Sequence, residues 1–99
     1  MEVLLQPLFW VNRTPGRLDP LILLEPKRMG VVFTRKEACP PLGEVVECRS
    51  FWCKEELLKG LLLLGLKALV VDPGPKAQVL DLEEALAYLE SHKRGPSCL

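Results

Sequence analysis

Leu57-Leu58-Lys59-Gly60-Leu61-Leu62-Leu63-Leu64-Gly65-Leu66-Lys67-Ala68-Leu69-Val70-Val71-Asp72-Pro73-Gly74 changes its periodicity part-way along, and that change decides the fold. In its first half Leu57, Leu61 and Leu64 recur at spacings of four and three, with Leu58 and Leu62 widening the stripe, so a helix is predicted. Gly65 stands where a left-handed C-cap belongs. In the second half Leu69-Val70-Val71 is apolar and β-branched, a strand closed by the turn residues Asp72-Pro73-Gly74-Pro75. A leucine-rich helix therefore feeds a buried strand.

Upstream, Ser50 is placed to cap that helix, and Glu55 and Glu56 are read as carboxylates near the positive end of its dipole. Glu44 to Arg49 reads as a strand leading into it. Thr34-Arg35-Lys36-Glu37 has the spacing of a capping box, opening a short helix that Pro40-Pro41 must end. Before it, Leu8 to Arg13, Leu21 to Leu24 and Val31 to Phe33 read as three strands spaced like an antiparallel meander. Leu21-Ile22-Leu23-Leu24, a continuous apolar run, is expected to be buried on both faces. Downstream, a short extended piece reaches Val79-Leu80. Asp81 and Glu84 then box the start of a last helix, whose inward stripe is Leu82, Ala85, Leu86 and Leu89. Gly95-Pro96 ends it, leaving residues 95–99 as an expected frayed tail.

The predicted architecture is α+β: a mostly antiparallel sheet of four to six short strands, with helices over 51–65 and 82–93 packed on it, in one domain spanning 1–94. Phe33-Thr34, a polar turn, an extended segment, a leucine-rich helix and Val70-Val71-Asp72-Pro73-Gly74 follow one another in an order that resembles the SseB-like domains of bacteria. That similarity spans Phe33 to Gly74. It departs at Arg35, where a small residue would be usual, and at Asp72, where Asn would be. The resemblance implies an α/β domain with an accessory or protein-binding role and no known catalytic activity. It names no active-site residues.

Composition narrows the function classes. Thirteen basic and thirteen acidic residues cancel, so the basic excess that neutralises nucleic-acid phosphates is lacking, and no nucleic-acid partner is expected. The basic clusters Pro26-Lys27-Arg28, Arg35-Lys36 and His92-Lys93-Arg94 read as solvated corners. Lys59 and Lys67 interrupt the leucine-rich run, so no membrane span is expected. The first residues lack a basic export signature, which places the chain in the cytoplasm with its four cysteines reduced. A shortage of Asn, Gln, Thr and Ser fits a heat-adapted or GC-rich bacterial source.

Few residues carry chemistry. Cys39, Cys48, Cys53 and Cys98 do not repeat the close pairs a structural zinc requires, so neither a metal nor another cofactor is expected. Cys48 and Cys53 are expected to lie apart across a strand-to-helix junction as small apolar fillers. Cys39 is the candidate reactive thiol: it lies in a loop with Arg35 and Lys36 one turn upstream, and nearby cations lower a thiol pKa. His92 is the only histidine that could serve it as a base. Asp72, Pro73 and Gly74 form the candidate ligand or partner loop, because ligand sites often lie at the ends of buried strands. The plainer reading of Asp72 is that it initiates the turn.

Apolar surface is the remaining clue. Phe9 and Trp10 must point to opposite faces of a strand, and Leu57 to Leu66 is apolar nearly all round. Either both sheet faces are covered or an apolar patch is left for a partner or a twin subunit. The leading expectation is a non-enzymatic interaction or accessory module, self-associating as a homodimer. The alternative is a small-molecule binder or minor thiol enzyme with its site near Asp72–Gly74 and Cys39.

Overall fold

The computed structural model describes residues 1–93. After a 3-10 turn at Glu2–Leu5, the chain runs β1 (Leu8–Asn12), β2 (Ile22–Leu23), β3 (Met29–Val32), β4 (Glu44–Cys48), α1 (Phe51–Leu63), β5 (Ala68–Val71), β6 (Gln78–Asp81) and α2 (Leu82–Lys93). The α+β architecture and its two packed helices are as the sequence predicts. The expected tail, 95–99, lies outside the described residues.

The expected single sheet is two. β1 and β4 form an antiparallel ribbon, while the second sheet has the order β2-β3-β5-β6. The meander reading of the first three strands holds only for β2 and β3. β1 instead takes β4 as its partner, from Leu8 opposite Cys48 to Asn12 opposite Glu44. Single bridges, Phe9 to Phe33 and Asn12 to Pro20, attach the ribbon to the rest. The pairing of β3 with β5 is parallel, which requires a crossover, and α1 lies in that connection.

The residues of the central pair alternate between two cores. Val32 on β3 and Leu69 and Val71 on β5 join Leu57, Leu58, Leu61, Leu82, Ala85 and Leu89 under the helices. Met29, Val31, Ala68 and Val70 face the other way, joining Phe33, with Phe9, Leu21, Cys39 and Ala77 packed over them. Four residues buried in each of β3 and β5 explain why their sequence is nearly all apolar. Trp10 faces the helices and Phe9 the opposite side, so this aromatic pair leaves no surplus patch.

β2 corrects the sequence reading. It is a two-residue edge strand with one neighbour, and Leu23 and Leu24 are exposed. An edge position leaves one side of a strand open, so a continuous apolar run is not proof of two-sided burial.

Local signals set the ends of the helices. Ser50 Oγ accepts the Cys53 N–H at 3.1 Å, capping α1. At the other end Gly65 adopts φ +86°, and the amides of Gly65 and Leu66 reach back to the carbonyls of Leu62 (2.9 Å) and Leu61 (3.1 Å). Those two bonds make a Schellman motif, which an L-residue at position 65 would strain. Asp81 Oδ2 accepts the Glu84 N–H at 3.0 Å and starts α2 where β6 ends. α1 approaches β3 closely, since a Cβ at Gly30 would stand 2.7 Å from Leu61 Cδ1.

Candidate functional site

Cys39 and the turn after β5 come together, but as parts of a structural corner. β3 and β5 end side by side, with Val32 opposite Val71. Asp72 follows at φ +53°, and its carboxylate accepts the Thr34 N–H at 2.9 Å and the Thr34 hydroxyl at 2.6 Å. Its own N–H donates to Val32 O at 2.9 Å. Both ends of the Phe33-Thr34 and Asp72-Pro73-Gly74 pattern thus meet in one clamp. The predicted capping box fails. The 3-10 turn Lys36–Ala38 starts one residue later than the box requires, with Arg35 at its N-cap and no side-chain cap, and the Thr34 hydroxyl donates to the carboxylate.

Cys39 packs against the core formed by Met29, Val31, Phe33, Ala68 and Val70. Burial pushes its thiol above the usual value, and the charges of Asp72 and Glu37 push it further the same way. The activation expected from Arg35 and Lys36 is not what this corner supplies: Arg35 lies 3.8 Å from the carboxylate of Glu37, and both are exposed. His92 stacks on Tyr88 with centroids 4.2 Å apart, its Nδ1 3.0 Å from Tyr88 O, and is not among the groups acting on Cys39. A thiol so placed is mostly neutral near pH 7. Alkylation of Cys39 by iodoacetamide at that pH should therefore run slower than that of a free thiol in a peptide. Labelling at the peptide rate, followed by mass spectrometry of the tryptic fragment, would restore the thiol-enzyme alternative.

The other two described cysteines overturn the expectation of reduced, separated thiols. Cys48 and Cys53 form a disulfide, with Cα atoms 5.2 Å apart. The junction does not diverge, because Ser50 turns the chain at the α1 N-cap and the first helical turn folds back beside the end of β4. That Cα spacing falls in the range disulfides adopt. Cys98 lies outside the described residues. Among the described residues no cluster of three or more His, Cys, Asp or Glu could hold a metal ion.

α1 carries a feature that the inward leucine stripe hides. Leu57, Leu58 and Leu61 are buried, and so are Lys54 and Glu55. The positions left outside are Trp52, Glu56, Lys59 and Leu63, spaced four, three and four apart, which is one stripe along a helix. Trp52 is 67% exposed and Leu63 88%. Glu55 and Glu56 also lie past the first turn, which contains no acidic residue, so their expected dipole role is not the one they fill. A cavity of about 290 Å³ lined by Trp10, Leu18, Val46, Cys53, Glu56 and Leu57 opens beside the same stripe. The stripe was readable as a second periodicity, 52-56-59-63, out of phase with 57-61-64. The all-round leucine content masked it.

No protein-family model matches this chain, and no curated protein matches it. No helix among the described residues is long and apolar enough to cross a membrane.

Proposed function

We propose that this chain is a non-enzymatic protein-interaction module whose docking surface is the outer face of α1. The observation that carries the proposal is the pair of large apolar side chains, Trp52 and Leu63, held at either end of one exposed helical stripe. Isolated exposed leucines are ordinary, but a tryptophan two-thirds exposed at the rigid first turn of a capped helix is not. Tryptophan is the residue most enriched among side chains that dominate binding energy, and rigid elements present such anchors at low entropic cost. The accessory or protein-binding role implied by the SseB-like resemblance supports the same reading. At the other corner, the Asp72 carboxylate is already engaged by Thr34 and the Cys39 thiol is held neutral, which weakens the small-molecule alternative.

The test is affinity capture of the tagged full chain from its host's lysate, comparing the native sequence with W52A/L63S. A stoichiometric partner or a second copy, retained by the native chain and lost by the variant, is the expected result. Capture unaffected by the two substitutions would move the docking surface elsewhere. If neither a partner nor self-association is found, the interaction reading fails.

A further inference from the structure

The stripe on α1 is complementary to its own reversal. In order along the helix it is apolar (Trp52), acidic (Glu56), basic (Lys59) and apolar (Leu63), and all four are exposed. Trp52 and Leu63 are centred on the same point as Glu56 and Lys59, midway between Leu57 and Leu58. A two-fold axis through that point, perpendicular to the helix, would set Trp52 against Leu63 of a second α1 and Glu56 against its Lys59. It would repeat both contacts on the other side. We propose that the occupant of this surface is a second copy of this chain, packed with α1 antiparallel to its twin in a two-fold symmetric dimer. The proposal rests on the outer face of α1 being a docking surface and names its partner.

Charge complementarity argues for the second copy. An isologous interface must be self-complementary about its axis, and antiparallel is the arrangement that opposes unlike charges here. A parallel pairing in register would oppose Glu56 to Glu56 and Lys59 to Lys59. Neither Glu56 nor Lys59 takes part in an ion pair among the described residues, so both remain available. Trp52 and Leu63 are separated by about 16 Å along the axis at the helical rise, so two apolar contacts would flank a charged centre. Helices pack at interaxial distances of about 8–10 Å, which these side chains can span. One pair of helices buries less than a standard interface, so association on the order of ten micromolar is expected rather than an obligate dimer.

The test is sedimentation equilibrium of the full chain at low ionic strength, from about 1 to 500 µM to bracket the expected affinity. The native chain should dimerise. E56K and K59E should each weaken self-association by at least about tenfold, because each gathers four like charges at the axis. The E56K/K59E double variant should recover to near the native value, since the reversed charges oppose each other again. Mixing E56K with K59E should give a heterodimer tighter than either variant forms with itself. L63S reads the apolar ends without touching charge and should also weaken the dimer. All four positions are exposed, and circular dichroism checks that each variant folds.

Self-association indifferent to charge reversal, or no rescue in the double variant, would overturn the antiparallel pairing. A native chain monomeric throughout would overturn it as well. In that case, a W52A/L63S-sensitive capture of a different protein would leave the docking surface standing with another occupant, and no such capture would remove both readings.

Discussion

Replacing Asp72 by alanine should lower the stability of the folded chain by about 3 kcal/mol, summing two lost hydrogen bonds to a charged acceptor with the strain of a left-handed alanine. The bonds are those from the Thr34 N–H and hydroxyl, at 2.9 and 2.6 Å, and the strained position is φ +53°. The amide of Thr34 would be left half-buried without its acceptor. Three substitutions separate the contributions. D72G relieves the backbone but breaks both bonds, and should cost about 2 kcal/mol. D72N tolerates the left-handed region and keeps one acceptor, so about 1 kcal/mol is expected. D72A should be the worst. Pairing D72A with T34A in a double-mutant cycle should show a coupling of about 1–2 kcal/mol by urea denaturation. If D72A instead leaves stability unchanged, the carboxylate is free for another purpose, and the ligand-loop reading of Asp72-Pro73-Gly74 regains its standing.

This corner also shows why some of the chain is legible and some is not. Ser50, Gly65 and Asp81 act on amides or carbonyls a few residues away, so their spacing alone announces the helix ends. Thr34 has the same local spacing, but the turn begins after Arg35, and the Thr34 hydroxyl donates to Asp72, 38 residues on. A local motif states what a side chain can do. It does not state which competitor the fold will bring. The disulfide fails to be read for the same reason: the Cys48–Cys53 span has no repeat, and its closure depends on how Arg49 and Ser50 turn. The burial of β5 was legible, but its parallel pairing with β3 was not, since apolar runs carry no direction. The outer stripe of α1 was present in the sequence and was hidden by the leucines around it.

Lys54 carries the second large effect: its spacing, three and four residues before Leu57 and Leu58, puts it on the buried stripe, where a lysine is not expected. The residue is 1% exposed, its Nζ donates to Leu4 O at 2.8 Å, and the ammonium lies 5.8 Å from the centroid of the Phe51 ring. It ties the N-terminal 3-10 turn to α1 while Val3 and Leu4 are buried in the core below the helices. K54A should cost about 3 kcal/mol, since it empties the space of a long side chain and leaves the Leu4 carbonyl without its donor. K54M retains the volume and removes the charge, so it should fall within about 1 kcal/mol of the native chain. The pH dependence distinguishes charge from packing. Burial holds Lys54 below the ordinary lysine value of 10.5. Below the folded-state value both states are protonated, and folding bears the full penalty of burying the ammonium. As pH rises from there toward 10.5, the unfolded chain binds more protons than the folded one, so stability increases. Urea denaturation of the native chain and K54M across that alkaline window should therefore show the native chain gaining on the variant as pH rises. Parallel profiles would mean that Lys54 is solvated in the folded chain, and that the N-terminal turn is not held by a buried charge.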